Sequence, residues 1–336
     1  MRLLLATIAL LTCSTASAAD ATVEIQVILH GNTSPEVPQQ WAAVLQKAGF
    51  SRTTIREKRQ GDEIGITNKG SKKYPTYQVT ALLSGKTLIL PPNSRFKRTE
   101  VKGIARWIEQ LKNDGAEVTT SPKVAFGLTL KQLEAVNEQL KTKVEDTTKG
   151  ESSADIVKKL AGGLKQKVVV SSSAARALKE DGVVRDDLKG LSTGTALAAI
   201  LRPAGLVLRP SSKAGEVKLE VIGSQAGSEN WPIGWKSKRS PGQTMPALFE
   251  RDDTQDVEVP LQAALEELSS RVGSPFLLDH NGMAVHRIDV NTKVKMQAGR
   301  KHYSTILRKI LSQVQMDYEV RVDENNKPFL WITPGR

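Results

Sequence analysis

HYSTILRKILSQVQMDYEVRV, residues 302–322, is the stretch on which the fold turns. Tyr303, Ile306, Leu307, Ile310, Leu311 and Val314 fall at i, i+3, i+4, i+7, i+8 and i+11, the spacing of a helix with one broad apolar face. That face needs a partner, and the residues around it supply a sheet. MDYEVRV (316–322) and PFLWIT (328–333) read as strands joined in a hairpin by the polar turn DENN (323–326). Upstream, VNTKVKM (290–296) alternates Val290, Thr292, Val294 and Met296 with polar residues, as a half-buried strand does. FLLD (276–279) is a short apolar strand before the turn-forming HNG (280–282). Before it, VEV (257–259) leads into a helix opened by Pro260, stopped by Pro275, and marked by Leu261, Leu265, Leu268 and Val272. Residues 256–336 thus read as one module of two helices on a sheet.

The same order of elements occurs about 110 residues earlier, which makes the pattern architectural. Ile156, Leu160 and Leu164 mark a helix over 154–164, and VVV (168–170) aligns with Phe276, Leu277 and Leu278. Val184 aligns with Val294, Thr195-Ala196-Leu197 with Thr305-Ile306-Leu307, Ile200-Leu201 with Ile310-Leu311, and VKLEV (217–221) with PFLWI. A near-constant offset through several elements indicates duplication. The pattern of LSTGTALAAILRPAGLVLRP (191–210) and of HYSTILRKILSQVQMDYEVRV resembles the short N-terminal module of secretins and TonB-dependent receptors. The resemblance covers roughly 143–222 and 256–333 and rests on apolar spacing. It implies a periplasmic location and contact with protein partners. The chain departs from those families after the last strand, where Arg336 closes the sequence and no secretin or receptor barrel is expected.

Met1–Ala18 has the grammar of a secretory signal: Arg2, the apolar core LLLATIALLTC (3–13), and a small-x-small cleavage site at Ala16-Ser17-Ala18. The core falls short of the roughly 20 apolar residues of a membrane span. A lipoprotein reading would use Cys13, but Thr12 stands where Gly or Ala would be expected. Cleavage after Ala18 would remove the single cysteine, so each domain is expected to stand on its apolar core. The formal net charge is +12, with a pI near 9.6, and the excess is heaviest toward the N-terminus. This favours acidic partners such as an envelope protein or an anionic polymer. Nucleic acid is set aside, because an exported chain rarely meets it and 4% aromatic residues give little for bases to stack on.

Residues 19–125 read as an independent α/β domain, with strands TVEIQVIL (22–29), SRTTIREK (51–58) and TYQVTALL (76–83). Trp41, Val44, Leu45 and Ala48 give a helix face ended by Gly49, and Val101, Ile104, Ala105, Ile108 and Leu111 give another, with Thr99 expected as its cap. Cations gather in NKGSKKYP (68–75) and RFKR (95–98), expected as a solvated face. Residues 126–222 form the first module, led by a helix with Leu130, Leu133 and Leu140. Residues 223–255 read as a Pro/Gly-containing linker, within which WPIGW (231–235) offers two tryptophans either to a sugar or to a neighbouring core.

No residue set specifies a reaction. His280, His286 and His302, with Asp279 and Asp289, are the residues that could seed a metal or acid/base site, but they lack the tight spacing of HExxH. No GxSxG elbow occurs, and AGGLKQK (161–167) lacks the earlier glycine and trailing Ser/Thr of a phosphate loop. The acid pairs at 186–187 and 252–253 are expected in a strand and a linker, the first diverging to opposite faces. The expectation is an α+β chain of three small two-layer sandwiches, the last two a tandem repeat, without catalytic residues, cofactor or metal. It is read as a secreted or periplasmic adaptor that docks through sheet edges and basic faces. The candidate partner-binding residues are Lys293, Lys295, Arg300, Lys301, Leu330 and Trp331, with PFLWIT and 290–296 as the open edges. The alternative is a carbohydrate or peptidoglycan binder using Trp231 and Trp235. Oligomeric state is left open.

Overall fold

The computed structural model describes residues 21–31, 34–71, 74–213 and 215–335. The segment expected to be a leader, with Cys13, and Lys72 and Lys73 of the basic loop lie outside the described residues. The chain is α+β and falls into two compact units. One runs to Ser121 and takes in Lys213–Glu216; the other holds Pro122–Ser212 and everything from Val217 onward.

The first unit has β1 (Thr22–His30), α1 (Glu36–Ala48), β2 (Arg52–Glu57), β3 (Gly65–Asn68), β4 (Thr76–Ser84), β5 (Thr87–Leu90), β6 (Ser94–Lys97) and α2 (Val101–Thr120). Its sheet runs β2-β1-β4-β5-β6, with β3 also on β4. Period-2 patterning sends Val23, Ile25 and Val27 of β1, and Tyr77, Val79, Ala81 and Leu83 of β4, into a core with Trp41, Leu45, Ile104 and Leu111 from the helices. Gly49 ends α1 at φ 110°, which only glycine adopts without strain. Thr99 does not cap α2. The cap is Glu100, whose carboxylate turns back to accept from Lys97 N–H at 2.7 Å.

In the second unit, α3 (Leu130–Leu140) leads the first repeat: α4 (Ser153–Gly162), β7 (Val168–Val170), α5 (Ser172–Asp181), α6 (Thr193–Leu201), β8 (Leu206–Lys213) and β9 (Glu216–Gly223). There follow β10 (Trp235–Lys236), α7 (Pro241–Thr244), β11 (Arg251–Thr254), β12 (Val257–Pro260), α8 (Leu261–Val272), β13 (Phe276–Leu278), α9 (His280–His286), β14 (Lys293–Met296), β15 (Gly299–His302), α10 (Tyr303–Ser312), β16 (Met316–Val322) and β17 (Pro328–Pro334). The two repeats share one sheet topology. β7-β9-β8 matches β13-β17-β16, with the first pair parallel in each.

The repetition extends to loop contacts. Thr193 N–H donates to Thr142 O at 2.7 Å and Tyr303 N–H to Glu250 O at 3.1 Å, each fixing the start of a repeat's last helix. Val184 N–H donates to Glu151 O at 2.9 Å where Val294 pairs with Val259 in the β12–β14 ladder. The β11–β15 ladder likewise has its counterpart in the bonds joining Val144 to Leu191 and Gly190. The second repeat therefore starts near residue 250, inside the segment expected to be a linker.

The rest of that segment is not a tether. Trp231 N–H bonds to Leu208 O on β8 at 2.7 Å, and Trp235 and Lys236 pair with Val322 and Arg321 of β16, so one run of chain lies along an outer strand of each repeat. Trp231, Ile233, Met245 and Leu248 are buried, because the apolar residues scattered among Pro and Gly are used as core.

β17 is an inner strand, between β16 and β13, and not the exposed edge expected for PFLWIT. Leu330 and Ile332 pack on the helices of the second repeat, whereas Phe329 and Trp331 enter the core of the first. Each of these side chains contributes about 1.5–3 kcal/mol by leaving water. The back of one sheet is thus the lid of the other repeat. α6, lying under that lid, is buried over Thr193–Ala198 and at Ile200 and Leu201, as TGTALAAIL, without a charged residue and apolar from Ala196 on, requires. It has no side-chain cap of its own. Asp323 Oδ2 accepts from Ser192 N–H at 2.8 Å, and Glu324 Oε2 accepts from Thr195 N–H at 3.2 Å and Thr195 Oγ1 at 2.9 Å. The DENN turn is therefore the cap of a helix in the other repeat.

Candidate docking groove between the repeats

A concavity of about 1010 Å³ runs between the repeats of the second unit. α8 contributes Leu265 and Glu266, β13 Phe276 and Leu278, and α9 Met283 and Val285; the first repeat closes it with Lys149 and 183–187. Local sequence explains its wall. Asp279 caps α9 by accepting from Gly282 N–H at 2.9 Å, and a Cβ at Gly282 would fall 2.8 Å from that carboxylate and 3.0 Å from Pro334. α9 replaces the turn expected at 280–282, and α5, capped by Ser171, is its counterpart in the first repeat. Both are short helices whose opening residues also suit turns.

β13 is paired on one side only. Asp279 N–H bonds to β17 at Ile332 O, so Leu278 N–H points the other way, into the groove, where Asp186 Oδ2 takes it at 3.3 Å. The same oxygen lies 3.0 Å from His280 Nε2, and Lys149 pairs with Glu266 across the repeats. Val285 is 72% exposed and Val183 48%. The groove thus combines a short open strand edge, an apolar wall, and rim charges that already have partners.

Behind it, Arg202 at the end of α6 makes a two-point pair with Asp279, Nε to Oδ1 at 2.7 Å and Nη2 to Oδ2 at 2.6 Å. Burial pushes the Asp279 carboxyl up, but Arg202 and Gly282 N–H together hold it below the ordinary carboxylate value. Glu324 is shifted the opposite way: burial raises it, and the bonds from Trp231 and Thr195 offset this only in part.

Of the histidines and acids singled out in the sequence, His280 meets Asp186 and the others do not converge. His302 Nδ1 meets Phe249 O, Asp289 accepts from Asn291 N–H at 2.9 Å, and His286 is exposed. Asp186 sits at a bend and Asp252 and Asp253 in β11, which replaces the strand and linker expected for these pairs. Among the described residues no group of three or more His, Cys, Asp or Glu is placed to hold a metal ion, and no helix is long and apolar enough to cross a membrane.

Of the candidate partner-binding residues, Leu330 and Trp331 are buried inside the β16-β17-β13 sheet, so they serve packing. Lys293 and Lys295 lie on β14, whose four residues pair with β12 and not with PFLWIT; 290–292 form a turn. Arg300 and Lys301 lie on β15. Trp231 is buried, stacked on Phe126 at 5.8 Å and donating to Glu324 Oε1 at 2.6 Å. Trp235, edge-on to it at 5.4 Å, is 39% exposed, so a sugar platform would have one ring and not two. FLLD was read as a strand and Asp186 as one of an acid pair, but not as parts of one groove; the signal for an inner β17 was available in FLWI, an unbroken apolar run typical of a strand covered on both faces.

No protein-family model, no curated protein and no solved structure matches the chain.

Proposed function

We propose that this chain is a non-enzymatic interaction protein of the cell envelope, exported by its N-terminal segment, that binds an extended stretch of a protein partner between its two repeats. The observation that carries this reading is the one-sided β13 strand set in an apolar groove. A partner segment can add main-chain hydrogen bonds to such an edge by displacing Asp186 from Leu278 N–H, while its alternate side chains enter the apolar wall. The resemblance of each repeat to the short N-terminal module of secretins and TonB-dependent receptors points the same way. The groove volume is that of a binding cleft, yet its polar groups are spent on one another and not aimed at a common point.

The test is a photo-reactive residue at position 285 in the full chain, expressed with its own leader. A discrete adduct with one envelope protein, lost when Val183→Glu is added, supports the reading. An unchanged adduct, or none, sinks it, and retention of the chain in the cytosolic fraction sinks the export part.

A further inference from the structure

The duplication allows one repeat to be used as a guide to the other. In the first, a small hollow lies over α6 among Arg185, Asp186, Ala199, Ile200 and Pro203. His280 of the second repeat is among its walls, bonded to Asp186, and only about 10 Å³ is left open. At the common offset, the matching positions of the second repeat are Lys295, Met296, Lys309, Ile310 and Gln313. They too line one hollow, over α10, and it is open, with a volume of about 340 Å³.

The substitutions between the two hollows have a direction. Asp186, which receives His280, is replaced by Met296; Ala199 is replaced by Lys309, and Leu191 by Lys301, which also lines the second hollow. Its lining residues include three lysines and no acid. Lys301 Nζ donates to the carbonyls of Gln297 and Ala298 at 2.8 Å each, Lys309 Nζ to Gln297 Oε1 at 3.4 Å, and Lys295 reaches Glu258 only at 3.7 Å. Three ammonium groups thus stand round an apolar floor of Met296, Ile306 and Ile310, and of the three only Lys295 has a carboxylate partner among the ion pairs described, Glu258.

We propose that this hollow is a docking site for an acidic polypeptide segment of a partner, one that presents carboxylates on either side of an apolar residue. Its counterpart shows that the fold admits a polypeptide element there, and the lysines select the charge. The site is separate from the groove and does not rest on it.

The probe is a fluorescein-labelled peptide with an Asp-Glu-Leu-Asp-Glu core, beside its Asn-Gln-Leu-Asn-Gln counterpart, titrated with the full chain and read by anisotropy. The acidic peptide is expected to bind and the neutral one not. Lys309→Glu should weaken binding about tenfold or more and Lys309→Gln less, with native circular dichroism in both. Lys47→Glu, the same charge change on α1, and Val285→Glu in the groove should leave it unaltered. Equal binding of the two peptides, no binding of either, or equal weakening by Lys47→Glu overturns the proposal. So does Lys309-dependent binding to phosphatidylglycerol vesicles without binding to the peptide, which would make the hollow a lipid site.

Discussion

α6 and α10 occupy the same place in two copies of one fold, yet only α10 turns a broad face to water. Both bury the matched leucines, Leu197 and Leu307, completely. α6 then packs its far side as well, under Phe329 and Trp331, and borrows a cap from Asp323 and Glu324. α10 instead turns Arg308 and Lys309 outward. Position 198 is alanine where position 308 is arginine, and 194 is glycine where 304 is serine. A Cβ on Gly194 would lie 2.4 Å from Glu324 and 2.7 Å from Trp231, so closeness at the repeat interface has selected the small residues. The two copies differ because the sheet and turn of the second repeat cover and cap α6, whereas α10 keeps an exposed face.

The comparison can be broken most forcefully by exchanging its residues. Ala198→Arg, which writes the α10 residue into α6, should cost more than about 4 kcal/mol by burying an unpartnered charge, seen as loss of a cooperative urea transition. Trp331→Ala, removing the lid, should cost about 3–5 kcal/mol by the same measurement. Glu324→Ala should cost about 1–3 kcal/mol, because Trp231 Nε1 and Thr195 N–H lose their acceptor, and it should alter the tryptophan emission. A smaller effect concerns acid. The Asp279 carboxyl is held below the unfolded value of about 3.9, so its pairing with Arg202 stabilises fully above that pH and is lost as pH falls below it. The urea midpoint of the wild type should accordingly drop more steeply below about pH 4 than that of Asp279→Asn. Arg308→Ala, the reverse exchange, should change stability by no more than about 0.5 kcal/mol.

Much of the fold was legible where periodicity is strong. The spacing of Tyr303 to Val314 gave α10, and the offset between the repeats aligned Leu197 with Leu307 and Val184 with Val294, all buried. What could not be read was which surfaces meet. TGTALAAIL announces a helix without a polar face but not the strand that covers it. The bond from Thr195 N–H to the Glu324 carboxylate joins residues 129 apart, and no local rule anticipates it. The segment around WPIGW was read as a linker by its Pro and Gly, and of the two roles open to its tryptophans Trp231 takes the core one. The docking groove was the least legible part. Its edge strand has three residues, and the acid that meets its backbone comes from the other repeat.

The borrowed cap also orders events in time. Because the start of α6 is completed by Asp323 and Glu324, the first repeat must wait for the hairpin of the second before its last helix is closed off. A chain emerging N-terminus first therefore carries a half-finished apolar surface until Asp323 and Glu324 have appeared. Closing so long a loop makes slow, late, all-or-none maturation of the second unit the natural outcome.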